Sequence, residues 1–135
     1  MMRTKTALGL AALGLLLAGC AGSPAPAPSK PASRADTGLD RMERLAVTAN
    51  RCWFKSGDPA FTAYSLAPEL SSFSGKPRFL LVPRGKIEAR PLLVVEGFSG
   101  STRVDSYGPL LNGALRPRLE ADLARWRSGS TSCDA

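Results

Sequence analysis

The chain contains no histidine, and its 135 residues include only two Trp, two Tyr and five Phe. Histidine is the commonest metal ligand and a common general base near neutral pH, so its absence removes both from the candidate chemistries. The three cysteines include no Cys-x-x-Cys pair, the spacing typical of redox sites. With so few ligand-type side chains, we expect neither a metal site nor a cofactor.

Motifs for nucleophilic catalysis and phosphate binding are incomplete. The sequence 97–100, Gly-Phe-Ser-Gly, falls short of the Gly-x-Ser-x-Gly elbow, and no histidine is present to activate Ser99. Gly75 and Lys76 lack the rest of a phosphate-binding loop, and Pro77 follows them. These absences predict that the protein is not an enzyme.

Carboxylates are the remaining catalytic candidates. Glu88, Glu96 and Asp105 lie on predicted strands and could meet across a sheet as the kind of acid pair that glycosidases use. Exposed strand acids opposite Arg90 or Arg103 are the commoner arrangement. A small hydrolase that uses acidic residues is therefore kept as an alternative to a protein without enzymatic activity.

The formal net charge is +7, and positive residues are spread along the chain without a run of four or more. This distribution does not favour a nucleic-acid partner. A local group of positive residues at one predicted hairpin consists of Arg84, Lys86 and Arg90. They are weak candidates for contact with lipid headgroups, an anionic glycan or an acidic protein face, and a solvated turn is the simpler interpretation.

The N-terminus has the three-part pattern of a secretory signal. Residues 1–6 are basic, residues 7–18 are apolar without a charge, and small residues precede Cys20. Twelve helical residues rise only about 18 Å, too short for a hydrocarbon core of about 30 Å. We therefore expect a removable signal rather than a permanent membrane span. Its loss leaves 16 positive residues against 11 acidic ones, a net charge of +5.

Residues 17–20, Leu-Ala-Gly-Cys, resemble the lipobox of bacterial lipoproteins. The resemblance covers residues 1–20 and implies a signal peptide over 1–19, diacylglycerol on Cys20 and cleavage just before that cysteine. Two or three acyl chains hold a protein stably on a membrane. Ala21 and Gly22 follow in place of the Asp that retains family members at the inner membrane, so the resemblance favours the outer membrane, facing the periplasm.

Residues 20–35 are expected to form the lipidated cysteine and a tether rich in Pro and Ala. Residues 21–35 would reach about 45 Å as polyproline II. Such a segment has no side chains with which to build a core. The folded part is predicted over residues 36–135 as a single small domain.

The folded part is predicted to be α+β, with an N-terminal helix, a small antiparallel sheet of about four strands and a C-terminal helix packed on the same face. Apolar residues at helical spacing predict helices over 38–53 and 117–127, with a further helical stretch over 108–115. Strands are predicted over 61–66, 78–82, 87–96 and 102–107, with a turn over 83–86.

If lipid occupies Cys20, then Cys52 and Cys133 remain, and an even remainder in an oxidising compartment favours one disulfide. A loop of this length stabilises by about 4 kcal/mol in the chain-entropy model. The bond would fasten the C-terminal tail to the first helix. Trp53 and Trp126 are predicted to be core residues, close to each other beside it. A redox pair or a metal site at these two thiols is the weaker alternative.

Three function classes therefore stay open. A small tethered domain without catalytic residues is typical of envelope proteins that bind other proteins or assist assembly, which makes this the leading hypothesis by analogy. The others are a binder of a small molecule, lipid or glycan in a groove, and the acid-based hydrolase. A large exposed apolar patch would favour the first, an enclosed apolar pocket the second, and two converging carboxylates in a cleft the third.

Overall fold

The computed structural model describes residues 38–71 and 75–134. The described chain has the predicted α+β class, with two helices and four strands. In chain order they are α1 (Gly38–Ala49), β1 (Tyr64–Glu69), β2 (Arg78–Pro83), β3 (Leu93–Gly97), β4 (Val104–Tyr107) and α2 (Arg116–Arg127). The predictions for residues 1–35, which include the signal, Cys20 and the tether, concern residues outside these ranges.

Helix α1 buries Met42, Leu45 and Ala49 at the spacing that predicts it. The α-helix ends at Ala49, and the chain continues as a π-helical segment, Asn50–Lys55. A π turn is wider than an α turn because its hydrogen bonds span five residues. Within this segment the neighbours Cys52 and Trp53 are both buried, at 2% and 0% exposure.

The four strands form an antiparallel sheet in the order β1-β2-β3-β4, so each strand pairs with its neighbour in sequence. Successive side chains of a strand point to opposite faces. Alternate residues of β2 and β3 therefore join one core cluster with both helices: Phe79, Leu81, Leu93 and Val95. The intervening side chains form a second, smaller cluster: Ala67, Leu80, Val82 and Val94.

Three strands begin later than predicted, β1 by three residues, β3 by six and β4 by two, and β1 also continues through Pro68 to Glu69. Strand β1 begins at Tyr64, because the 3-10 turn Pro59–Phe61 occupies the chain before it, with Asp58 as its N-cap. Strand β3 begins at Leu93, because residues 87–89 form a turn and a bend, with the Ala89 amide donating to the Lys86 carbonyl. Pro91 has no amide hydrogen to give to a strand ladder, which is consistent with this later start.

Helix α2 runs from Arg116 to Arg127, with Pro117 in its first turn, where no amide hydrogen is needed. The predicted helical stretch before it is shorter, a 3-10 turn over Pro109–Asn112. Gly129 follows the helix with φ of 101°, a left-handed conformation that glycine adopts freely. None of the helices in the described ranges is both long and apolar enough to cross a bilayer.

Candidate functional site

A surface pocket of about 240 Å³ lies where the π-helical segment, the 3-10 turn before β1 and the end of β2 meet. We call it the aromatic pocket. Its lining residues are Trp53, Phe54, Gly57, Asp58, Phe61, Thr62, Tyr64 and Arg84. Sites for drug-sized ligands are usually larger, at about 300–1,000 Å³. The aromatic pocket therefore suits one ring or one side chain of a larger molecule.

Stacked rings make the wall of the aromatic pocket. The ring centroids of Trp53 and Phe61 lie 4.9 Å apart with planes 11° from parallel. Phe54 meets Phe61 edge-on at 6.0 Å. Trp53 and Phe61 are buried, at 0% and 1% exposure, whereas Phe54 and Tyr64 are half-buried. Trp53 and Phe61 are therefore firmly packed but covered, and the ring surface that the pocket offers belongs to Phe54 and Tyr64.

The chain beside these rings turns sharply, which keeps the pocket open on one side. Gly57 has φ of 76°, and a Cβ built on it would meet no atom within 4 Å. Asp58 then caps the 3-10 turn, since its Oδ1 accepts from the Ala60 amide at 3.0 Å. Its Oδ2 pairs with Arg118 Nη2 at 3.1 Å. The one carboxylate of the pocket lining is thus already neutralised.

Arg84 supplies positive charge at the pocket. Its Nη1 donates to the Thr62 carbonyl at 3.2 Å, and its backbone amide donates to the Ala63 carbonyl at 2.9 Å. Within residues 38–71 and 75–134, no carboxylate pairs with this guanidinium. Lys86 and Arg90 are exposed in the β2–β3 loop and do not line the pocket. Of the three predicted basic candidates, the structure therefore places Arg84 alone at this site.

A second polar centre surrounds Asp122 on α2, whose side chain is buried at 2% residue exposure. Its Oδ2 accepts from Trp53 Nε1 at 2.8 Å and from Arg118 Nε at 2.7 Å. Its Oδ1 accepts from Arg125 Nη2 at 2.5 Å. Burial raises the pKa of this carboxyl, but the three hydrogen bonds outweigh burial and hold the pKa below its usual value.

The C-terminal tail is held against the same residues. The sulfur atoms of Cys52 and Cys133 lie 2.06 Å apart, at disulfide distance. Trp126 Nε1 donates to the Ser132 carbonyl at 2.8 Å, and Arg125 donates to the Ser132 and Cys133 carbonyls. We call this group the C-terminal clasp; it comprises Cys52, Asp122, Arg125, Trp126, Ser132 and Cys133.

The predicted placement of the two tryptophans is confirmed. The ring centroids of Trp53 and Trp126 lie 5.0 Å apart, and both residues are buried in the main core. Trp53 also follows Cys52 directly. Trp53 therefore belongs to the core and contributes to two sites, because its indole N–H faces Asp122 while its ring stacks on Phe61.

The strand acids do not line the aromatic pocket. Glu96 and Asp105 are cross-strand partners on β3 and β4, but Glu88 lies in the β2–β3 loop. Asp105 forms a salt bridge with Arg103, and the Arg103 hydrogen bond lowers the pKa of Asp105. Glu96 accepts from Tyr107 Oη at 3.3 Å. Burial, and then the nearby Glu96, raises the pKa of Tyr107.

Exposed apolar side chains and groups of metal-ligating residues give weaker candidate sites than the aromatic pocket. The large apolar side chains that are most exposed lie on α1, the β2–β3 loop and β4: Leu39, Val47, Ile87 and Tyr107. In the part of the chain that the structure describes, no group of three Cys, Asp or Glu residues is placed to hold a metal ion. The aromatic pocket is therefore the stronger candidate site.

The aromatic half of this site was not predicted from the sequence. Four of the nine aromatic residues fall within residues 53–64, namely Trp53, Phe54, Phe61 and Tyr64. That local density is a signal in the sequence, but only the turn at Gly57 shows that the four side chains meet.

Comparisons of the chain with protein-family models, with curated proteins and with solved structures gave no match.

Proposed function

We propose that the chain is a lipid-anchored protein of the bacterial cell envelope whose folded domain binds another envelope protein through the aromatic pocket. The observation that carries this proposal is the pocket itself. The half-buried rings of Phe54 and Tyr64 line it together with Arg84, whose charge no carboxylate of the described residues balances. Tyrosine and arginine are among the residue types most often found in the few positions that carry most of the binding energy at protein interfaces.

The geometry supports binding more than catalysis. Hydrolysis by acids alone needs two carboxylates that flank a bond in a cleft. At the aromatic pocket the one carboxylate, Asp58, is held by Arg118 and by the Ala60 amide. Glu96 and Asp105 are held by Tyr107 and Arg103 on the sheet. Neither arrangement leaves a pair of carboxylates around an open space.

The lipid anchor is the second part of the proposal and rests on residues 1–35. In this proposal residues 1–19 are removed, Cys20 carries lipid, and residues 21–35 let the domain extend about 45 Å from an outer membrane on its periplasmic side. Because acyl chains supply the membrane affinity, the anchor and the pocket act independently.

A small ring-shaped ligand, such as one sugar of a glycan, is a second candidate for the same pocket. The observation that favours it is that two half-buried rings, Phe54 and Tyr64, line a space of about 240 Å³. The binding site is the same in both candidates, but the ligand is a sugar ring instead of a protein side chain.

The anchor is tested by metabolic labelling with a clickable fatty acid in the protein's own cells. Wild-type chain takes up the label and sediments with membranes. Cys20→Ala abolishes labelling, while Cys52→Ala leaves it intact. Labelling that persists in Cys20→Ala would remove the lipid-anchor part of the proposal without affecting the pocket.

The binding site is tested by photo-crosslinking in living cells, with a photoreactive amino acid placed at Thr62 in the pocket lining. Thr102 is the matched control, since it is also an exposed threonine but precedes β4, the other edge strand. The proposal expects one dominant protein adduct from position 62 and none from position 102, identified by mass spectrometry. Glycan adducts at position 62 would support the second candidate, and equal adducts at both positions would contradict a pocket-directed interaction.

A further inference from the structure

We infer that the aromatic pocket receives one large apolar side chain from an acidic segment of the partner protein, with a partner carboxylate beside Arg84. The inference rests on the proposed function and adds the chemistry of the partner. The partner segment would then be negatively charged, and the residue at the centre of the contact would be apolar.

The charges around the aromatic pocket indicate that the partner segment is negatively charged. Asp58 shares Arg118 with Asp122, and Arg125 adds a second positive charge at Asp122, so the acid in the lining contributes little net charge. Arg84 is bound only through carbonyl contacts among the described residues. A guanidinium has more donors than the one used here and can take a carboxylate through two parallel hydrogen bonds.

Neighbouring charges add to the same field. Lys55 follows the lining residue Phe54, and Lys86 lies two residues beyond Arg84. Both lysines are exposed and form no ion pair within residues 38–71 and 75–134. Glu88 is the acidic residue in the loop that carries Lys86 and Arg90. In segments 53–64 and 83–86, which contain the whole lining, three positive residues thus stand against one acidic residue, an excess that would attract and orient an acidic segment.

The size and lining of the aromatic pocket indicate which kind of partner side chain would enter it. A space of about 240 Å³ lined by aromatic rings suits one large apolar or aromatic side chain. Aromatic walls also bind cations, but the charge of Arg84 at the same opening opposes a lysine or a quaternary ammonium group. An apolar side chain with an acidic neighbour satisfies both the rings and the guanidinium.

The test is a selection from a random peptide-display library on the full chain, purified in detergent from the cells that produce it. The expected result is a shared motif with one Phe, Trp, Leu or Met and at least one Asp or Glu within two positions. A synthetic peptide with that motif is then measured against the variants by fluorescence anisotropy, at low and at physiological salt.

Two matched pairs of variants assign the binding to the pocket. Arg84→Glu lowers affinity by at least about tenfold, whereas Arg90→Glu, with the same change in charge outside the lining, lowers it by no more than about threefold. Thr62→Trp fills the opening and abolishes binding, whereas Thr102→Trp leaves it unchanged. Circular dichroism and a cooperative urea transition show that each variant is folded.

The other outcomes overturn the inference in distinguishable ways. A basic or uncharged motif whose binding Thr62→Trp still abolishes would keep the pocket as a protein-binding site but contradict the acidic partner. A motif that binds Thr62→Trp as well as wild type would place the contact elsewhere. No enriched motif, together with glycan adducts at position 62 in cells, would contradict a peptide partner altogether.

Discussion

The C-terminal clasp and the aromatic pocket use similar side chains to opposite effect, and Trp53 belongs to the contacts of both. At the clasp, the buried carboxylate of Asp122 accepts three hydrogen bonds, and the tail carbonyls are taken up by Arg125 and Trp126. At the pocket, the guanidinium of Arg84 donates to one carbonyl, that of Thr62, and pairs with no carboxylate among the described residues, beside the half-buried rings of Phe54 and Tyr64.

The difference separates residues that hold the fold from residues that are available to a partner. A buried charge that is fully hydrogen-bonded is costly to disturb, because its partners are then left buried without compensation. A charge at the edge of an apolar opening costs little to change in the free protein and contributes when a partner arrives. The comparison therefore predicts large stability effects at the clasp and small ones at the pocket.

The largest expected effect is that of the cysteine pair. Replacing Cys52 and Cys133 together by alanine should lower the free energy of unfolding by about 4 kcal/mol, because the link closes a loop across 81 residues of separation. Urea unfolding of the chain from residue 21 onward, followed by tryptophan fluorescence, measures it. Thiol titration of the unfolded wild-type chain from residue 21 onward, taken from its own cells, should find no free thiol. A loss below about 1 kcal/mol would contradict a stabilising bond.

The next effect is that of the buried acid. Asp122→Asn should lower the free energy of unfolding by about 3 kcal/mol, since it leaves Arg118 and Arg125 without their shared carboxylate. The matched control on the same helix is Glu120→Gln, which removes an exposed pair with Arg116 and should cost less than about 1 kcal/mol. Equal effects of the two variants would remove the distinction between the clasp and the solvent-exposed side of α2.

The same carboxylate gives a pH dependence. The folded-state pKa of Asp122 lies below its unfolded value, so its stabilisation is present above the unfolded pKa and is lost as pH falls through the folded pKa. The difference in unfolding free energy between wild type and Asp122→Asn should therefore be constant at neutral pH and shrink in acid, below about pH 4. A difference that grows in acid would contradict the sign of this shift.

The smallest stability effect is expected at the pocket. Arg84→Glu should change the free energy of unfolding by less than about 0.5 kcal/mol, because the side chain is exposed and its guanidinium donates to the Thr62 carbonyl without pairing with a described carboxylate. The same urea titration applies, and Arg90→Glu is the matched control in the same loop. A loss as large as that of Asp122→Asn would assign Arg84 to the fold and weaken its assignment to binding.

The sequence predicts those parts of the fold that depend on periodic burial. Helix α2 and strand β2 follow their apolar patterns closely, since Leu119, Leu123 and Phe79 occupy the positions that spacing gives them. The π-helical segment was missed because a one-residue widening of the turn leaves no mark in apolar spacing. The late start of β3 shows how turn hydrogen bonds before Pro91 override a β-like composition.

The candidate site is less predictable for a physical reason. Arg84 could be selected from the sequence, since charge at a predicted turn is visible there. Its aromatic neighbours could not be assigned to it, because Phe54 and Tyr64 join it only through the turn at Gly57 and the pairing of β1 with β2. Side chains that meet through tertiary geometry leave a pattern too weak to interpret alone.

The most direct test of the account is amide hydrogen exchange of the full chain in its own isolated membranes, compared with the same chain after purification in detergent. Exchange reports local opening, so a bound partner should slow it where it docks. The account predicts slower exchange in membranes over residues 53–64 and 83–86, around the pocket, and unchanged exchange over residues 116–133, at the clasp. Equal exchange around the pocket in both preparations, or protection confined to the clasp, would contradict a partner at the aromatic pocket.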